Sequence, residues 1–146
     1  MLRFLPIAML LFFGVLGCNG VKPSDVTGTW VVTEGSRQRL PTAQQKASAK
    51  IVLDANGSFV ASDLPEDLLY GPEVADRLVT GSGVWKLVSR EGGQQVQLEF
   101  HAIAVGQRGG VPHGALLDVS RGWSALRLFY FKGDADEGRR IEFERK

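Results

Sequence analysis

The sequence predicts an all-β domain built as a single antiparallel, eight-stranded, up-and-down β-barrel with one or two short helical turns; a β-sandwich is the alternative. Three observations lead there. Short segments rich in β-branched and aromatic residues recur along the chain. The clearest, 94–103, alternates Val96, Leu98 and Phe100 with Gln97, Glu99 and His101, the period of two of a strand with one wet face. Turn signals separate the segments, above all Asn56-Gly57, a strong short-range hairpin pair. Finally, nearly every connection is short, so neighbours in sequence pair as neighbours in the sheet. Such a meander removes its exposed edges best by closing on itself.

The strands follow in order. In "TGTWVVT" (27–33), Trp30 and Val32 share a face, and in "AKIVLD" (49–54) Ile51 and Leu53 do the same. "SFVASD" (58–63) follows the Asn-Gly turn. "GSGVWKLVSR" (81–90) and "QQVQLEFHAI" (94–103) flank a second hairpin around Gly92. "GALLDVSR" (114–121) and "SALRLFYFK" (124–132) flank Gly122-Trp123. "RRIEFERK" (139–146) sets Ile141 and Phe143 on one side and Arg140, Glu142 and Glu144 on the other. Helical signals are thin. In 71–79, Pro72 suits a first helical turn, with Val74 and Leu78 four apart. The stretch 40–49 is a weaker case.

Ahead of this domain, Arg3 precedes an almost purely apolar run, 4–16, too short to span a bilayer, which needs about 20 residues, but suited to the core of a secretory signal. Val15-Leu16-Gly17-Cys18 ends it and contains the one cysteine of the chain. These four residues resemble the bacterial lipobox. The resemblance implies a signal peptide over 1–17, a diacylglycerol on the Cys18 thiol, and Cys18 as the first residue of an exported chain anchored to the membrane of the cell envelope. Residues 18–25 then form a short polar linker, and 26–146 form the domain. Loss of Arg3 with the leader takes the formal charge from +1 to zero. A neutral chain without a basic stripe is a poor partner for nucleic acid.

Gly28-Thr29-Trp30 at the first strand resembles the Gly-x-Trp signature of the lipocalin and wider calycin group, and Gly83-Val84-Trp85 repeats it at the fourth. Together with Leu53-Asp54-Ala55-Asn56-Gly57-Ser58-Phe59, the order is similar to small lipocalin-like domains of bacterial lipoproteins. No Thr-Asp-Tyr motif follows, so the comparison is with lipocalin-like domains and not lipocalins proper. The resemblance implies that a basic residue near the chain end packs across the signature Trp. Arg145 shares parity with Ile141 and Phe143 and is the candidate to cover Trp30; a frayed terminus is the alternative. It also implies that the start of the first strand marks the closed end of the barrel, so an anchor at Cys18 would turn that end to the membrane and the mouth away.

By parity the inward set is Trp30, Val32, Ile51, Leu53, Phe59, Trp85, Leu87, Val96, Leu98, Phe100, Leu128, Tyr130, Ile141 and Phe143. These side chains either fill an eight-stranded barrel or wall a small apolar pocket with Tyr130 as its polar handle. Trp30, Phe59, Trp85, Phe100 and Tyr130 are thus candidate ligand-binding residues. Arg37 and Arg39 sit at the rim of a long first loop, 34–48, which is either a lid over the mouth or a surface loop.

His101 and His113 flank a loop but make only half a zinc site. Glu66 and Asp67 are an adjacent acid pair. "GDADEG" (133–138) alternates acids like a calcium loop, but it lacks the following ligand and reads as a solvated turn. Nucleophile-elbow and phosphate-loop patterns are missing. The expectation is a non-enzymatic, lipid-anchored envelope protein without metal or cofactor, which binds a small apolar or amphiphilic ligand in its barrel. The alternative is a packed interaction module for an envelope protein, acting as an inhibitor or assembly factor.

Overall fold

A computed structural model describes residues 20–71, 77–107 and 114–146 of the chain. The period-two segments pair in sequence order: β1 (Gly28–Val32), β2 (Lys50–Leu53), β3 (Ser58–Pro65), β4 (Leu78–Arg90), β5 (Gly93–Val105), β6 (Gly114–Arg121), β7 (Leu126–Phe131) and β8 (Arg140–Arg145). All pairs are antiparallel, and β8 returns to β1 to close the barrel. The sandwich alternative is therefore set aside. Four single helical turns decorate the strands: α1 (Pro23–Val26), α2 (Glu34–Arg37), α3 (Thr42–Gln45) and α4 (Asp67–Tyr70).

Some boundaries differ from the sequence reading. The central hairpin β4–β5 is longer than predicted at its far end. Most of the helical signal in 71–79 lies at residues 72–76, outside the described residues. Its last part, Leu78 and Val79, is the start of β4, because Leu78 pairs with Pro65 and Val79 with Leu64. The weak signal in 40–49 contains the single turn α3. The polar linker is not extended throughout, since α1 occupies part of it and buries Val26 beneath the barrel.

The seam between the first and last strands is short, with register pairs Trp30 with Arg145, Val31 with Glu144 and Val32 with Phe143. Two backbone bonds lengthen it, from Lys146 N–H to Thr29 O (3.0 Å) and from Thr33 N–H to Glu142 O (2.9 Å). Trp30 is fully buried there. Its indole N–H donates to Val26 O at 2.7 Å, tying α1 under the barrel. The Arg145 guanidinium lies 5.3 Å from the ring centre and donates to Asp25 O. Gly28 enters β1 at φ 133°, a conformation that L side chains rarely adopt, which accounts for the glycine of the first Gly-x-Trp.

The second glycine has a steric reason instead. Gly83 pairs with Phe59 on one side and Phe100 on the other, and the register slips beside it. The β4 backbone comes so close to β5 that a Cβ on Gly83 would lie 1.9 Å from Glu99 O. Over the bare glycine the two rings meet edge to face, 4.9 Å apart. Nearby, Asp63 adopts φ 55° where the β3–β4 register shifts, and the Thr80 hydroxyl accepts its N–H at 3.1 Å.

Two predictions follow from these contacts. Gly83→Ala is expected to cost about 3 kcal/mol in urea unfolding, because the Glu99 carbonyl has to move. Gly35→Ala, in the open space around α2, is expected to cost nothing and to add up to about 1 kcal/mol. In a double-mutant cycle, Trp30→Ala costs about 3–5 kcal/mol alone. The loss on removing Arg145 is expected to shrink by about 0.5–1 kcal/mol once Trp30 is gone.

Candidate functional site

Of the inward set, all but Leu87 are buried, and Leu87 packs against the cluster from its edge. Ala61, Leu64, Val79, Ala115 and Leu117 join it from strand stretches the parity list left out. Phe59 and Phe100 pack against each other in the lumen, and Trp30 and Trp85 both lie at the end where β1 begins. Trp85 grips the β2–β3 turn: its indole N–H donates to Asp54 O (2.8 Å) and its backbone N–H to Gly57 O (2.7 Å). The two tryptophans of the repeated motif thus plug one end of the barrel. The predicted ligand-binding aromatics come together as a packed core.

The opposite end is covered as well. The stretch 34–48 folds into α2 and α3 and is tied down on three sides. Thr33 caps α2 by accepting from Ser36 N–H, and the Ser36 hydroxyl accepts from Glu142 N–H at 2.9 Å. The Gln44 amide donates to Arg77 O at 2.8 Å, and Leu40 and Ala49 are buried. Its arginines do not face a mouth. Arg37 pairs with Glu34 within α2, and Arg39 reaches Arg140 O at 3.4 Å. A shallow cleft of about 300 Å³ between α2 and α3 carries Arg37 and Lys46 on its wall.

Beside this cap lies a polar cluster that the sequence reading did not assemble. The α4 turn places Asp67 over the end of β7, with its side chain almost wholly buried. Tyr130 donates its hydroxyl proton to Asp67 Oδ1 at 3.1 Å, and Lys132 Nζ stands 3.2 Å from Oδ2. Glu66 next to it is also fully buried. Tyr130 therefore does act as a polar handle, but toward an acid of its own chain. A signal was present in Lys132, which has the inward parity of Leu128 and Tyr130: a buried cation needs a buried anion. Its partner lies far away in sequence, so the spacing could not name it.

Burial first, then the charge of Asp67, then the hydrogen bond to it hold the Tyr130 hydroxyl protonated far above the ordinary tyrosine value near 10.

At the closed end, an open cleft of about 530 Å³ runs between α1 and the β6–β7 turn, with Asp25, Arg121, Trp123 and Arg145 on its walls. Arg121 Nη2 lies 3.7 Å from Asp25 Oδ2. Trp123 is fully exposed.

The other candidates stay apart. His101 is on the exposed face of β5, 3.6 Å from Glu99 Oε1. His113 and Cys18 lie outside the described residues. Among the described residues, no group of three or more potential metal-ligating side chains comes together. "GDADEG" forms an exposed 3-10 turn, Ala135–Glu137, in which Asp134 Oδ1 accepts from Asp136 N–H at 3.0 Å.

These features define the class: a closed, antiparallel up-and-down β-barrel with aromatic side chains packed in its lumen and, among the described residues, short helical turns over the end opposite the tryptophans. No protein-family model, curated protein or solved structure matches the chain.

The Tyr130–Asp67 contact gives a pH prediction. Above about pH 10 an unfolded chain loses the tyrosine proton, whereas the folded chain keeps it. The stability this group contributes is present below pH 10 and declines as pH rises past it. Tyr130→Phe is expected to cost about 1.5–3 kcal/mol at neutral pH, the worth of a hydrogen bond to a charged group. Its urea midpoint should then fall less steeply than the wild type between about pH 9 and about pH 11.

Proposed function

We propose that this chain is a lipid-anchored protein of the bacterial cell envelope whose packed, lipocalin-like barrel serves as a non-enzymatic interaction module. The observation that carries the reading is the filled lumen: Trp30, Phe59, Phe100 and Phe143 are essentially inaccessible, and Trp85 and Tyr130 nearly so. An eight-stranded barrel has room for its own side chains or for one small ligand. This change of emphasis, from carrier to module, rests on the way those rings pack.

The anchored half of the reading is supported by the leader and by Val15-Leu16-Gly17-Cys18. Three acyl groups on a matured cysteine bind a bilayer in an effectively permanent way, since two chains already suffice. Held at its closed end, the barrel turns its capped end to the surroundings. There α2 and α3 present a mixed-charge rim with Glu34, Arg37 and Lys46, suited to a protein partner. In this reading the partner is an envelope protein.

Two measurements test this. Palmitate labelling in an exporting bacterial host is expected to mark the wild-type chain and not Cys18→Ser; an unlabelled wild-type chain removes the anchor. Native mass spectrometry of the Cys18→Ser protein is expected to show the bare polypeptide mass. A stoichiometric lipid that leaves only on unfolding would return the barrel to the carriers.

A further inference from the structure

We propose that the β6–β7 turn, led by Trp123, enters the headgroup zone of an anionic phospholipid bilayer and seats the closed end of the barrel on the membrane. The inference rests on the anchored reading above and adds a second point of contact to it.

The path of the chain brings this end to the bilayer. Val21 is clamped to the start of β5 by a two-way bond with the Gln94 amide: Val21 N–H to Oε1 at 2.6 Å, and Nε2 to Val21 O at 2.8 Å. Cys18 is three residues upstream, within about 11 Å of that clamp at full extension. An acyl group on Cys18 therefore leaves no slack for the barrel to stand away from the surface. The strand ends that meet there include the end of β1 that carries Gly28, the β4–β5 turn and the β6–β7 turn.

The three tryptophans then divide by environment. Trp30 and Trp85 are buried at this end with their indole N–H groups bonded to backbone carbonyls. Trp123 is fully exposed at the tip of a tight turn closed by Gly122 N–H to Ala125 O at 3.0 Å. Its ring contributes nothing to the core. An amphipathic indole on a rigid turn beside an acyl anchor matches the chemistry of the bilayer interface, where Trp is enriched.

Charge supports the same occupant. Arg121 and Arg145 border the cleft beside Trp123 and both are solvent-exposed; Asp25 on the same wall stands 3.7 Å from Arg121, so the cleft lining keeps a net charge of +1. Cations at this depth attract anionic headgroups, and the attraction fades within a Debye length, so they act only on a surface already close.

The test uses the full chain as it matures in an exporting host, reconstituted into vesicles of equimolar phosphatidylethanolamine and phosphatidylglycerol. Mass spectrometry reads the acyl group on Cys18. Tryptophan emission is compared with and without brominated acyl chains, and with iodide in the water. Trp123→Phe identifies the Trp123 component. The expected result is an acylated chain whose Trp123 emission is lost to brominated lipid and shielded from iodide. An acylated chain whose Trp123 stays open to iodide and untouched by bromine overturns the proposal and leaves the anchor intact. Quenching by brominated lipid without an acyl group keeps the turn as a membrane contact and removes the anchor. Neither signal removes both.

Discussion

Closure of the barrel depends on one seam, and that seam depends on Trp30. A meander of eight strands has two edges until β1 and β8 meet, and unpaired edges invite pairing with other chains. Here only three register pairs join them. One of these is Trp30 with Arg145, so the bulkiest residue of β1 lies under the guanidinium that ends β8. The indole N–H fixes α1 at the same place. Ring burial, a cation over the ring face and one buried hydrogen bond thus hold the first strand, the last strand and the incoming chain together.

The rest of the lumen follows from that closed geometry. Inward side chains from all eight strands converge on a space no wider than they are, and the aromatics occupy it. Two phenylalanines need the same space across β4, which yields it by carrying glycine at that position. The polar cost is moved to one end. Where α4 folds over β7, Asp67 accepts from Tyr130 and its charge stands 3.2 Å from that of Lys132.

The two ends of the molecule differ in consequence. One is sealed by hydrogen-bonded tryptophans and carries the clamp on Val21, close in sequence to the lipobox-like cysteine. The other is roofed by short helical turns whose side chains are tied to β8 and to Arg77. A cavity protein keeps one end open. This one covers both, which moves the interest from the lumen to the two outer surfaces.

All eight strands were legible in the sequence, because period-two alternation and turn residues are local signals. So was the inward parity of Arg145, which is arithmetic along a strand, whereas its place over Trp30 was implied only by the resemblance to calycins. The same arithmetic gave the inward aromatics, although it could not say whether they wall a pocket or fill it. That depends on how rings from non-adjacent strands meet, as Phe59 and Phe100 do over Gly83. The stretch 34–48 read as a loop because its ties run to Glu142 and Arg77, beyond the reach of any local pattern. Asp67 read as one of two adjacent acids until the fold placed Tyr130 and Lys132 against it. By itself the sequence determined strand order and facing, which are properties of neighbours along the chain. The tertiary structure alone decided that the lumen is full and the mouth is covered, because both depend on contacts between residues far apart in sequence.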